Sequence, residues 1–352
     1  MPNKFNKILE SNDIEASAPC RIDMGGTLDI ATFCYPLRHL SPCTFNIAIG
    51  LRTRVRLRPY SRGGIKISSR GFEDAQFPVA DAPYDHPLGL MFAIAAYFNA
   101  CGIHIEIESQ SPPRSALGGS SVAAVALVAA FSRLMAHPKS RTGFGRRSMA
   151  LLAYRLEESV AGVPCGFQDQ LAAAYGGVHA WYRQTHPDRP LFKRKVVIRK
   201  DFHKKLERHI LLAYCGKPHE SKDINGKWVK QFLAGNHRNR WAEIVACTHQ
   251  FVTALSERNY RQAAIHMNRE TALRRKMTPD VLDSVGERLV QIALQNNCGA
   301  RFTGAGGGGC MWALGETEDI DRLRSMWEES LSTCKEACLL DVKIDTLGVR
   351  IH

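Results

Sequence analysis

Residues 111–130, SPPRSALGGSSVAAVALVAA, constrain the chain most, because they join a glycine- and serine-rich loop directly to a long apolar helix. Pro112 and Pro113 end whatever strand precedes them, and Gly118 and Gly119 remove the Cβ atoms that would hold a ligand away from the backbone. Ser120 and Ser121 stand in the first turn of the helix, expected over 120–135. Their N–H groups have no helical acceptor, and their hydroxyls can meet a cation or a phosphate oxygen. The stretch reads as an anion cradle backed by a helix dipole. An ordinary N-cap is the competing reading.

At 352 residues the chain exceeds what one hydrophobic core usually holds, so two domains are expected. The polar, proline-bearing stretch Gln184 to Arg199 marks the boundary and divides 1–195 from 196–352. With 45 % hydrophobic and 23 % charged residues the composition is that of a globular enzyme and argues against disorder. No apolar run has the length of a membrane span, and the start MPNKFNKILESNDIEAS lacks the apolar core of a signal peptide. A cytoplasmic protein without a membrane partner is expected. The eleven cysteines are scattered singly without CxxC pairs, which fits reduced thiols better than disulfides or zinc.

The net charge of +13 raises the question of nucleic acid, but its distribution argues against it. Arg52, Arg54, Arg56 and Arg58 alternate with Leu51, Thr53, Val55 and Leu57, the period of one solvated strand face. The cluster from Lys193 to Lys205 has few aromatics to stack bases. Acidic small molecules such as nucleotides and sugar phosphates explain the charge more economically.

In chain order, Ala18 to Thr32, APCRIDMGGTLDIAT, reads as a strand running into a glycine turn that presents Arg21, Asp23 and Asp29. Such a turn can hydrogen-bond a polyol, or its carboxylates can merely cap turns. Phe45 to Arg58, Gly64 to Ser69 and Gly102 to Glu108 read as half-buried antiparallel strands, with a helix over Leu88 to Ala100. A helix over Arg146 to Val160 precedes AGVPCGFQDQLAAAYGG, whose Gly-Pro-Gly turn delivers Asp169 to the head of another helix. Asp169 suits a general base, or a plain first-turn aspartate. The second half opens with the strand Ile210 to Cys215 and GKPHESKDI. Helices follow over Asn225 to Leu233, Arg240 to Glu257 and Tyr260 to Met277, then one from Pro279 through Gln295. In ARFTGAGGGGCMWAL, Gly304, Gly306 and Gly309 match GxGxxG formally, but a strand follows where a dinucleotide site needs a helix. The Walker pattern is absent.

Together APCRIDMGGTLD, PPRSALGGSSVAA, VPCGFQDQ and FTGAGGGGC, in this order and across nearly the whole chain, resemble the GHMP kinase superfamily of galacto-, homoserine, mevalonate and phosphomevalonate kinases. RIDMGGTLD and GFQDQLAAAYGG look most like the sugar kinase branch that holds fucokinases and heptose phosphate kinases. The resemblance implies an α+β protein with a ribosomal-protein-S5-like first domain and a ferredoxin-like second. It implies ATP and Mg²⁺ as cofactors, a sugar or sugar phosphate as partner, no nucleic acid or membrane, and a monomer or homodimer. By the same resemblance Asp169 would be the catalytic base and Arg21 its cation. Pro113, Ser115, Ala116, Leu117, Gly118, Gly119, Ser120 and Ser121 would wrap the nucleotide phosphates, and Ser120, Ser121 and Glu157 would hold the metal. Asp23, Gly25, Gly26, Asp29, Gly304, Gly306 and Gly307 would bind the sugar. The chain departs from the family pattern with Arg114 and Ala116 where glycines are usual and Gly119 where a serine is usual, and with a first motif about one residue short. A kinase of a small non-sugar alcohol, of the mevalonate or homoserine type, and a non-catalytic binding protein on the same scaffold are the alternative readings. The latter is disfavoured by the joint presence of Arg21, Glu157 and Asp169.

Overall fold

The computed structural model describes residues 4–11, 13–136, 143–162, 164–217 and 224–352. Val163 of VPCGFQDQ and residues 218–223 of GKPHESKDI lie outside the described residues.

The first half runs α1 (Lys4–Ser11), β1 (Ile14–Met24), α2 (Ala31–Cys34), β2 (Cys43–Pro59), β3 (Gly64–Ser69), β4 (Ala75–Pro78), α3 (Gly89–Tyr97), β5 (Ile103–Ser109), α4 (Gly119–Met135), α5 (Arg146–Val160), α6 (Gln168–Tyr175), β6 (Val178–Arg183) and β7 (Phe192–Ile198). β2 is the spine. Its one edge pairs with β1, while the other is shared between β6 near its start and β5 near its end. The apolar helix α4 lies on β1 and β2, buried over almost its whole length, as a helix apolar on every side must be. That placement is what anchors the glycine loop before it.

The second half runs α7 (His203–Glu207), β8 (Ile210–Tyr214), α8 (Ile224–Leu233), α9 (Arg238–Ser256), α10 (Tyr260–Met277), α11 (Ser284–Gln295), β9 (Gly299–Phe302), β10 (Cys310–Leu314), α12 (Thr317–Ser332), β11 (Cys338–Leu340) and β12 (Arg350–Ile351). Strands β8 to β11 form an antiparallel sheet in the order β11-β8-β10-β9, the ferredoxin-like arrangement. Both its faces are covered. Leu212 and Trp312 join the core of the first half, whereas Leu211, Ala213 and Met311 join a second core with α8, α11 and α12.

The two-domain α+β architecture is as expected, with local differences. β3 pairs with β5 in parallel, because β4 and α3 carry the chain back to the same end of the sheet. The stretch expected to separate the domains contains β7, which pairs with β6 up to Ile198, so a division after residue 195 falls inside a strand. FKRKVVI hides that strand behind four exposed side chains in a row, Lys193 to Val196. The chain also returns to the first sheet at its end, where β12 pairs with β1. Pro279 opens only a 3₁₀ turn. The helix after it starts at Ser284, where the Asp283 carboxylate accepts from Gly286 N at 2.7 Å.

Candidate active site

The loop before α4 alternates left-handed residues: Arg114, Ala116 and Gly118 have φ of 52°, 60° and 82°. This turns its carbonyls inward. Ser115 O accepts from Cys310 N at 3.0 Å, Ala116 O from Arg21 Nη1 at 2.7 Å, and Leu117 O from Arg21 N at 3.2 Å. The first backbone bond of α4 runs from Val122 N to Gly118 O, which leaves the N–H groups of 119–121 without a helical acceptor. With carbonyls bonded behind and amides unclaimed in front, the loop is suited to an anion. A Cβ on Gly119 would meet nothing within 4 Å, so the backbone there is open to close approach.

Behind the loop, Glu157 on α5 accepts from Ser120 Oγ at 2.9 Å, from Ser121 Oγ at 2.7 Å and from Gln170 Nε2 at 2.6 Å. Burial pushes its carboxyl pKa up, against the pull of those bonds. One carboxylate and two hydroxyls are a hard oxygen set that fits Mg²⁺, which takes one or two carboxylates and completes its shell with phosphates and water. Gln170 adds a buried Oε1 that has no partner. Among the described residues no three His, Cys, Asp or Glu side chains cluster as a metal cage.

Against the same loop lies Asp169, in the first turn of α6, its Oδ2 3.3 Å from where a Cβ on Gly118 would sit. Arg21 on β1 holds it bidentately, Nε to Oδ1 at 2.7 Å and Nη2 to Oδ2 at 2.8 Å. The pair raises the Arg21 pKa in spite of the guanidinium's burial. Asp169 keeps 21 % of its side chain exposed, while Arg21 keeps 4 %. The carboxylate therefore faces the cavity and the cation sits behind it.

Asp29 secures the head of the same helix. Its Oδ2 accepts from Phe167 N at 2.6 Å and Gln168 N at 2.9 Å, and its buried Oδ1 has no partner. Burial raises its pKa to about 6, although the Gln168 and Phe167 amides pull the other way. A Cβ at Gly166 would lie 2.2 Å from Asp29 Oδ1, which explains the glycine there.

These groups line one cavity of about 770 Å³, together with Gln168 and Asn225. Of the residues that the family resemblance implies for the site, five do not reach it: Asp23, Gly25, Leu117, Gly306 and Gly307. Asp23 is fully buried. It accepts from Gly304 N at 2.7 Å and pairs with Arg301 at 3.1 Å, so both its oxygens are spent on the fold. Gly25 packs on α9, where a Cβ would fall 2.6 Å from Thr248, and the Leu117 side chain belongs to the core. Gly307 N donates to Val281 O at 2.8 Å, and a Cβ on Gly306 would sit 2.4 Å from that carbonyl. Those two glycines let chain pass chain, while Gly304 and Ala305 reach the cavity. Thr27, Gln168, Gln170 and Asn225 were missed. The two glutamines flank Asp169 in GFQDQ and could have been taken from that motif, whereas Asn225 begins an ordinary amphipathic helix and carries no local signal.

Residues 87–177 match the family described as GHMP kinases N terminal domain, and residues 251–333 match GHMP kinases C terminal. The chain is 24 % identical over 311 residues to the D-glycero-alpha-D-manno-heptose 7-phosphate kinase of Campylobacter jejuni, an alignment covering 85 % of this chain and 88 % of that one. It is 25 % identical over 298 residues to the mevalonate kinase of Pyrococcus horikoshii, covering 76 % and 80 %. Among solved structures, Lactococcus lactis galactokinase complexed with galactose superposes with a TM-score of 0.71 at 16 % identity, over 99 % of this chain and 97 % of that one, which shows a shared fold. With both family halves in order, and with the glycine loop and Asp169 inside the first of them, the chain belongs to the GHMP kinases and is a phosphotransferase.

Proposed function

We propose that the protein is an ATP-dependent, Mg²⁺-requiring kinase that phosphorylates a hydroxyl of a sugar or sugar phosphate. The observation that carries this reading is the bidentate Arg21–Asp169 pair, set between an anion-binding loop and a second carboxylate, Asp29, that has an unused oxygen. The amides at 119–121 hold the phosphates of the nucleotide. Asp169 accepts the proton of the attacking hydroxyl, and Arg21 orients that carboxylate and offsets the negative charge collected around the transferred group. Ser120, Ser121 and Glu157 hold Mg²⁺, which supplies neutralisation of phosphate charge when bound. Positioning and charge supply nearly all the rate in such a reaction, so preorganisation by these bonds is the main contribution of the fold.

The acceptor side supports a substrate with several hydroxyls. The free oxygen of Asp29, together with the amides of Gln168 and Asn225, offers acceptors and donors to hydroxyls. On this reading the nucleotide-binding domain extends past residue 195 to the end of β7, and the second domain runs from there until the return at β12.

The test is ADP release over a panel of sugars, sugar phosphates, mevalonate and homoserine, with Asp169→Asn as the paired variant. A sugar or sugar phosphate should give the highest kcat/KM. Asp169→Asn should lower turnover at least about a hundredfold with little change in nucleotide affinity, the usual scale for loss of a general base. Glu157→Gln should shift the Mg²⁺ requirement upward. Near-normal turnover in Asp169→Asn, or a preference for mevalonate, would sink the reading.

A further inference from the structure

Asp169 is one end of an unbroken chain of charge. It pairs with Arg21, Arg21 lies 3.4 Å from Asp23, Asp23 pairs with Arg301 at 3.1 Å, Arg301 with Glu270 at 2.9 Å, and Glu270 with Arg274 at 2.9 Å. Asp23, Arg301, Glu270 and Arg274 are all fully buried. Buried ion pairs are weak evidence for a stabilising role, since apolar residues of similar volume often serve as well. What the far end of this chain touches is more informative.

Arg274 spends every nitrogen. Nε donates to Glu270 at 2.9 Å, Nη2 to Gly26 O at 2.7 Å and Nη1 to Thr27 Oγ1 at 3.2 Å, while Trp228 and Trp241 flank the guanidinium at 4.5 and 4.8 Å. Only the planar fork of an arginine can do this. Thr27 has φ of 79°, a left-handed conformation that a β-branched residue adopts only under constraint. Thr27 lines the cavity, and so does Asp29 two residues on. The turn between is closed by Leu28 N to Gly25 O at 3.2 Å and Ile30 N to Thr27 O at 2.9 Å.

We propose that Arg274, oriented by Glu270 from the second domain, is a positioning residue for the acceptor: it clamps the strained Gly26–Thr27 turn and so sets where Thr27 and Asp29 meet the substrate hydroxyls. This rests on the acceptor half of the functional reading above. The clamp itself is a statement about the turn and can be tested without substrate.

Two measurements test it on the full-length protein. In hydrogen exchange, Arg274→Lys keeps the charge but loses the fork, and it should speed exchange of the Leu28 and Ile30 amides about tenfold while those of α4 stay unchanged. In steady-state kinetics with the best sugar of the panel, Arg274→Lys and Thr27→Gly should each raise the acceptor KM about tenfold and leave the ATP KM within about twofold. Thr27→Ser, which keeps the hydroxyl, should restore most of the loss. The double variant should be no worse than the more severe single, because both remove one clamp. Unchanged exchange at Leu28 and Ile30, or acceptor and ATP KM rising together, would overturn the proposal. Should Arg274→Lys not fold, Thr27→Gly carries both measurements. If the wild-type protein phosphorylates no sugar, the functional reading fails while the exchange result still decides the clamp.

Discussion

Asp29 holds a carboxylate with one oxygen bonded to two amides and the other buried and unpaired beside the cavity. That arrangement costs stability for the sake of a binding group. Its pKa is raised from 3.8 to about 6, chiefly by burial, so the folded protein binds this proton more tightly than the unfolded chain does. The associated stability is fully present below pH 3.8 and is lost as pH rises through about 6. Asp29→Asn cannot titrate and escapes the loss. Relative to wild type it should gain about 2 kcal/mol between pH 4 and pH 8, read from urea unfolding across that range, while its acceptor KM rises. A stability difference flat in pH would show that Asp29 stays ionised as easily in the fold as in water.

At the scale of elements, the loop before α4 reaches its geometry with fewer glycines than is usual. Arg114 and Ala116 both sit in left-handed backbone, which costs a residue with a Cβ about 1–2 kcal/mol. The loop is held there by the bonds from Arg21 and Cys310 to its carbonyls, so its shape depends on β1 and β10 as much as on its own sequence. Arg114 also brings a positive charge to the nucleotide side of the cavity. Arg114→Gly relieves the backbone and removes the charge. The expected result is an ATP KM raised about fivefold with an unchanged or higher melting temperature, and Arg114→Lys should keep the KM near wild type. An ATP KM untouched by Arg114→Gly would place this charge outside the field of the phosphates.

At the scale of the whole molecule, the arginines of β2 are drawn into ion pairs. The alternation over Arg52 to Arg58 is as the sequence predicts, with Thr53, Val55 and Leu57 buried between the arginines. The four are not one uniform solvated face, however. Arg54 and Arg56 pair with Glu15 and Arg58 with Asp13, whereas Arg52 is largely covered and binds Asp345, Ser17 O at 2.7 Å and Gly348 O at 2.9 Å. Arg52 thus ties the returning end of the chain to the first sheet. Arg52→Gln should lower unfolding stability by about 2 kcal/mol, while Arg54→Gln and Arg58→Gln should each stay within about 0.5 kcal/mol, in denaturant titrations. The latter two should also leave phosphorylation within about threefold. Submicromolar oligonucleotide binding at about physiological salt, weakened by Arg54→Gln, would assign the charge to nucleic acid instead.

What the sequence determined by itself is whatever the backbone or a single periodic face demands locally. The glycine loop, the all-apolar α4, the alternating β2 and the Gly-Pro-Gly turn before Asp169 are each legible because few conformations satisfy their residues. The tertiary structure decided which charges meet. Arg21 and Asp169 lie 148 positions apart, and nothing local distinguishes that pairing from one between Asp169 and any other cation. Asp23, two residues from Arg21 on the same face of β1 and equally apt for a sugar on paper, is consumed by Gly304 and Arg301. Arg274 and Glu270 look like the polar side of an amphipathic helix until the first domain's turn closes over them. A carboxylate becomes a base, a ligand or a strut according to what buries it, and burial is set by chain segments far away in sequence.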